Sequence, residues 1–166
     1  MNNKTWMSSY VVQYTTADLV AQQLALTPDT NNPGNYFLWD ISIPIETLTT
    51  FANESNQHVT SQIGDITNTS DIVTISLANQ WAAKFGAYRL LTMMAVNWTM
   101  SGMRINLGSI TVDRLNAMRA GIAEVKAKLL EDIARLTQQV GAQVDIIDHP
   151  SQSSPNKYIS LGPPPQ

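Results

Sequence analysis

The sequence predicts an all-α protein, a small bundle of about four helices with long central and last helices, short β or extended segments and an extended C-terminal tail. One observation is an apolar run in which Lys84 and Arg89 are the only charged side chains between Ile72 and Met103, although 14% of the chain is charged. A second is the stepping of Leu115, Met118, Ile122, Val125, Leu129, Ile133, Leu136 and Val140 by threes and fours without interruption. A third is that only two short segments suit strands or an extended arm: YVVQY (Tyr10–Tyr14), which is aromatic and β-branched, and AQVDIID (Ala142–Asp148), which alternates apolar and polar positions. Four regions follow: an arm or edge strand over 1–14, a helical domain over 15–141, a short strand within 142–150 and a tail over 151–166.

Composition narrows the classes. At 166 residues and 43% hydrophobic content, the chain is long enough for one domain with a real core. It has no cysteine, which excludes disulfides and thiolate metal sites. A formal charge of -3 and a pI near 5.2 argue against tight binding to nucleic acid or to an anionic membrane, both of which need basic surface. A membrane span is disfavoured by Lys84 and Arg89, since each charge at bilayer depth costs roughly 2.5 to 3.5 kcal/mol. The first residues, MNNKTWMSSYVV, lack the apolar stretch and cleavage site of a signal peptide. A soluble cytosolic protein, or one joining a particle assembled in the cytosol, is expected.

Taken in order, YVVQY suits an edge strand or an extended arm. Thr15 and Asp18 form a weak capping box for a first short helix over Leu19–Leu24, stopped by Pro28. TPDTNNPGNY (Thr27–Tyr36) has the prolines, glycine and Asx residues of a loop. Tyr36, Phe37 and Trp39 follow it, expected to anchor the loop to the core in preference to forming an exposed contact surface. Ser42 and Pro44 mark the entrance of the second helix, whose stripe is Ile45, Leu48, Phe51 or Ala52, Ser55, Val59 and Ile63, with Gly64 as its C-terminal cap. Thr49, Asn53, Asn56 and Gln57 fall on the opposite, polar face. His58 has no nucleophile or carboxylate arranged around it in sequence, so a surface or capping role is expected.

GDITNTSD (Gly64–Asp71) is a short link with Ser70 or Asp71 as N-cap, and its brevity predicts antiparallel packing of Leu48, Ala52 and Val59 against Trp81, Phe85 and Tyr88. Asp65 and Asp71 lack the glycine and terminal glutamate of a calcium loop. In the central helix Leu77, Trp81, Phe85, Tyr88, Leu91 and Ala95 form a bulky stripe. Ala78, Ala82 and Gly86 form a small one, which admits a close backbone. Gly102 and Gly108 punctuate a loop or short hairpin. They lack the lysine and hydroxyl of a phosphate-binding loop. Thr111 opens the last helix and Gly141 ends it, with Glu124–Lys128 and Glu131–Arg135 as i,i+4 pairs on its wet side. Its seam serves the chain's own core in the favoured reading, or a partner through Leu115, Met118, Ile122, Val125 and Leu129. In the Pro- and Ser-rich tail, Tyr158, Ile159, Leu161 and Pro163 form an extended apolar segment able to dock on a neighbour.

The helix order YTTADLVAQQLAL, SIPIETLTTFANESNQHVTSQIG, SLANQWAAKFGAYRLLTMMAV, glycine-punctuated loop and long helix resembles the head-tail connector, or adaptor, proteins of tailed phages over about Tyr14–Val140. The resemblance implies a structural subunit of the virion neck, assembled in the host cytoplasm into a homo-oligomeric ring, usually dodecameric. Its partners would be the portal protein and a tail or stopper protein, with the terminal tail (Tyr158, Ile159, Leu161, Pro163) gripping the portal or a neighbouring subunit. DNA would pass through the channel without specific binding. No cofactor, metal or membrane is implied. An enzyme is not expected, because the two histidines are isolated and no paired carboxylates stand at catalytic spacing. The rival reading is a non-viral helical adaptor or regulator that binds a partner through its long last helix.

Overall fold

The computed structural model describes residues 10–39, 41–96, 104–105 and 112–148. Four helices are present among them: α1 (Ala17–Gln23), α2 (Ile45–Ile63), α3 (Ile72–Val96) and α4 (Val112–Asp148). A four-stranded antiparallel sheet in the order β1-β2-β3-β4 joins β1 (Thr27–Pro28), β2 (Asn35–Leu38), β3 (Ile41–Pro44) and β4 (Arg104–Ile105). The architecture is a small helical bundle with short β segments.

The sheet corrects the expected loop. Residues Thr27–Tyr36 make a hairpin whose turn is built by the same polar residues that suggest irregular chain. Asp29 accepts from the Asn31 amide at 2.8 Å and from Asn32 Nδ2 at 2.9 Å, while its own amide donates to the Asn35 carbonyl. Its carboxyl is held below the ordinary value, chiefly by the Asn32 side chain. Gly34 takes φ +96, a region that disfavours any side chain. Ser42, expected at the start of a helix, lies instead in β3, where Ile41 and Ile43 turn into the core and Pro44 caps α2.

The N-terminal stretch is an extended arm rather than a strand. Tyr14 and Thr15 amides both donate to Asn56 Oδ1, at 2.9 and 2.8 Å, and Asn56 Nδ2 donates to the Thr15 carbonyl at 3.0 Å. The side-chain amide thus replaces a β partner for the backbone of the arm. Asn56 is only 4% exposed, a correction to its expected place on a solvated face. The Tyr14 hydroxyl donates to the Gly64 carbonyl at 2.6 Å, and burial raises its pKa. The N-cap of α1 is Thr16, one residue after the expected Thr15, which is buried.

Asp71 caps α3 as expected, accepting from the Val73 and Thr74 amides at 3.0 and 3.2 Å. Gly64, at φ +67, caps α2. The small stripe of α3 receives α2 closely: Ser55 Oγ donates to the Ala82 carbonyl, and a methyl at Gly86 would lie 3.3 Å from the Phe51 carbonyl oxygen. α4 lies antiparallel along the other side of α3. Accordingly the core divides along the bundle axis. A sheet-end cluster holds Leu38, Ile41, Leu48, Leu90, Leu91, Met118 and Ile122, and a loop-end cluster holds Val12, Tyr14, Val59, Trp81, Ile133, Leu136 and Val140.

The last element departs from expectation. Gly141 does not end α4, which runs 37 residues to Asp148, so Ala142–Asp148 is helical and not a strand. The physical reason is cooperativity: one interior glycine costs about 1 kcal/mol against alanine, too little to stop a helix that is already propagating. Gly141 also lacks the positive φ of a C-terminal glycine cap.

Candidate interaction surfaces

At the sheet end, Trp39 closes the β2–β3 turn with φ +54, an uncommon backbone conformation for a bulky residue. Its indole lies over α4 where a side chain is missing, since a methyl at Gly121 would sit 3.1 Å from Trp39 Cη2. Beneath and beside the indole is a cavity of about 360 Å³ lined by Leu24, Phe37, Leu38, Leu91, Ile122 and Val125. Trp39 remains 47% exposed, so the anchor also presents an apolar surface. Both uses weighed for this cluster are therefore combined in one side chain.

At the loop end, Ile72 and Val73 in the first turn of α3 are 79% and 61% exposed, and Tyr10 at the start of the arm is 73% exposed. These are the most exposed large apolar residues among those described. The Asp71 cap explains why they stand clear: it fixes the first turn of α3 on its own, with no packing of the two side chains required.

The middle of the bundle carries polar ties. Lys84 reaches Asp132 at 2.8 Å, and Arg135 reaches the same carboxylate at 2.9 Å, where the spacing predicted a Glu131 pair. Asp132 is held below its ordinary pKa, mainly by the Lys84 hydrogen bond and further by Arg135. His58 is half-buried, stacked on Phe85 with centroids 4.2 Å apart and meeting the edge of Trp81 at 5.9 Å. Burial, aided by the Arg89 charge, lowers its pKa. Its packing on two rings is neither of the surface and capping roles expected of it. Lys126 Nζ lies 5.5 Å from the Tyr88 ring centroid.

The residues singled out in the sequence fall as follows. Leu48 and Ala52 are in the sheet-end cluster, Val59 and Trp81 in the loop-end cluster, and Leu77, Phe85 and Tyr88 pack partly buried against these cores. Of the proposed seam, Met118, Ile122 and Leu129 are buried inside the chain, Val125 is 36% exposed at the cavity, and Leu115 lies in α4. Tyr158, Ile159, Leu161 and Pro163 lie outside the described residues. Among the described residues no cluster of three potential metal ligands occurs, and no helix is long and apolar enough to cross a membrane.

Sequence reasoning missed Asn56, Gly121 and the outer face of α4. Asn56 gave no local signal, because its partners lie 41 and 42 residues away. Gly121 sits within a helical pattern, where an isolated glycine is itself a signal for close packing. No family model, no curated protein and no solved structure matches the chain.

Proposed function

We propose that this chain is a structural subunit of a tailed-phage neck, one of a ring of copies, usually twelve in the family it resembles, that joins the portal to the tail and leaves a channel for DNA. The observation that carries this reading is a pair of unlike apolar patches at opposite ends of one bundle, Trp39 at the sheet end and Ile72 with Val73 at the loop end. Ile72 and Leu91, the latter beside Trp39, are separated along α3 by roughly 28 Å at about 1.5 Å per residue. An isologous dimer needs a single self-complementary patch, whereas a piece inserted between two different partners needs two. Portal and tail or stopper proteins are such a pair. The net charge of -3 suits a lining that DNA slides past without adhering. The Tyr158–Pro163 segment is the arm that grips the portal or the next subunit.

The test is immuno-electron microscopy of purified virions with a gold-tagged antibody against the chain. Label at a single point between head and tail is expected. Absence of the chain from intact virions would overturn the neck reading. Virions formed with residues 151–166 deleted and with normal incorporation of the chain would remove the gripping arm from it.

A further inference from the structure

α4 carries a second heptad on the side turned away from its core seam. Ala120, Ala123, Ala127, Leu130 and Ala134 step by three and four, and all are exposed, Leu130 at 51%. At about 100° per residue this stripe lies roughly 120° around the helix from the buried seam of Met118, Ile122, Leu129 and Ile133. Leu130 on such a face, between alanines that let backbones approach closely, has the form of a packing seam with no partner among the described residues.

The flanks of the stripe are charged in an ordered way. Arg119 and Lys126, seven residues apart, border one side, and Glu124 and Glu131, also seven apart, border the other. In heptad terms the stripe supplies positions a and d, the two cations occupy g and the two carboxylates e. A parallel copy of the same helix would set Arg119 opposite the neighbour's Glu124 and Lys126 opposite the neighbour's Glu131. An antiparallel copy would set cations against cations and carboxylates against carboxylates. A foreign helix would have to match both signs at both registers, a condition that this helix already meets for itself.

We infer that the outer face of α4 binds α4 of a second copy of this chain in parallel, with the alanine and Leu130 stripe as the contact and the Arg119/Lys126 and Glu124/Glu131 flanks setting its direction. Because the two flanks lie on opposite sides of the stripe, the cationic flank of each copy can meet the acidic flank of the next. The same pairing thus serves a two-fold dimer or continues from subunit to subunit around a ring. It supplies the lateral contact that the neck reading needs, and it stands or falls separately from that reading.

The experiment compares full-length wild type with R119E/K126E and E124K/E131K by sedimentation velocity at low salt, each alone and the two variants mixed in equal amounts. Wild type is expected to assemble. Each variant alone should assemble at least about tenfold more weakly, since two attractive pairs become repulsive, while keeping wild-type helical content. The mixture should regain assembly, because each variant then meets the opposite sign. R119E/K126E also removes the Lys126–Tyr88 contact and an interaction that Arg119 makes within the chain, so its melting temperature is read alongside. E124K/E131K breaks no tertiary contact described for the chain but sets like charges one turn from Lys128 and Arg135, so its helical content is read alongside, and it carries the test if the first variant is unstable. Monomeric wild type, variants that assemble like wild type, or a mixture that fails to recover would each overturn the pairing. Recovery limited to two copies would uphold the pairing and overturn the ring, and recovery to a larger closed species would support both.

Discussion

Replacing Asn56 with alanine removes the clamp that holds the N-terminal arm on α2. Three hydrogen bonds are lost together: two from the Tyr14 and Thr15 amides to Oδ1, and one from Nδ2 to the Thr15 carbonyl. With Asn56 4% exposed and Tyr14 2% exposed, water does not replace these partners unless the arm lifts. Each orphaned buried group costs about 1 to 3 kcal/mol, so leaving all three in place would cost more than lifting the arm. Lifting exposes Val12 and Tyr14 at roughly 1.5 to 3 kcal/mol for each buried side chain, which sets the upper limit. The expected loss for N56A is therefore about 3 to 5 kcal/mol, a fall in Tm of about 10 °C for a chain of this size. Urea unfolding gives the free energy, and amide hydrogen exchange at Tyr14 and Thr15 reports the arm directly. N56D keeps the acceptor for both amides but turns an oxygen toward the Thr15 carbonyl. Its deficit should shrink as pH falls and the new carboxyl acquires a proton to donate. A loss below about 1 kcal/mol for N56A with both amides still slow to exchange would refute the clamp.

Three further outcomes are expected. G86A should lose about 1 to 2 kcal/mol by urea midpoint, because the new methyl would lie 2.9 Å from the stiff, buried Val20 side chain and the overpacking exceeds the helix-propensity gain of about 1 kcal/mol; unchanged stability would remove the close approach of α1 and α2 to α3. W39G should be more stable than W39A by about 1 kcal/mol in thermal melts, since both lose the indole but only glycine is relieved of the cost of φ +54; equal stability would argue against strain in that turn. His58 has a folded pKa below its ordinary 6.5, so the unfolded chain binds the proton more readily, and the stability due to neutral His58 is present above pH 6.5 and is lost as pH falls toward the folded value. H58F, which preserves the stack on Phe85, should lose part of that pH dependence in urea titrations from pH 7 down to 5; a slope identical to wild type would exclude His58 as its source.

The helices were legible because their causes are local. The apolar runs, the Asp71 cap and the Gly64 cap act within a few residues of where they are written, and each is where the sequence implies. Charge and composition likewise follow from the residues alone. The sheet was not legible, because its strands are only two to four residues long, because the alternation of Ile41, Ser42, Ile43 and Pro44 runs directly into α2 and reads as the entrance of that helix, and because Asp29, Asn32 and Gly34 resemble loop residues until their hairpin partners arrive. The end of α4 was misread for a related reason: Gly141 and the alternation of AQVDIID are local signals, and an established helix overrides both.

The interaction surfaces divide in the same way. The heptads of α4 are written in the sequence, yet only packing against α3 shows that Met118, Ile122 and Leu129 belong to the core while Ala120, Ala127 and Leu130 remain outside. The sequence by itself determined the helical elements, the Asp71 and Gly64 caps and the acidic balance, because backbone hydrogen bonding and side-chain periodicity are short-range. Only the tertiary structure decided that Asn56 holds the arm, that Trp39 rests on Gly121 and that one face of α4 is left uncovered by the other described residues. Those outcomes depend on which distant surfaces exclude water from each other, and no stretch of sequence contains both surfaces.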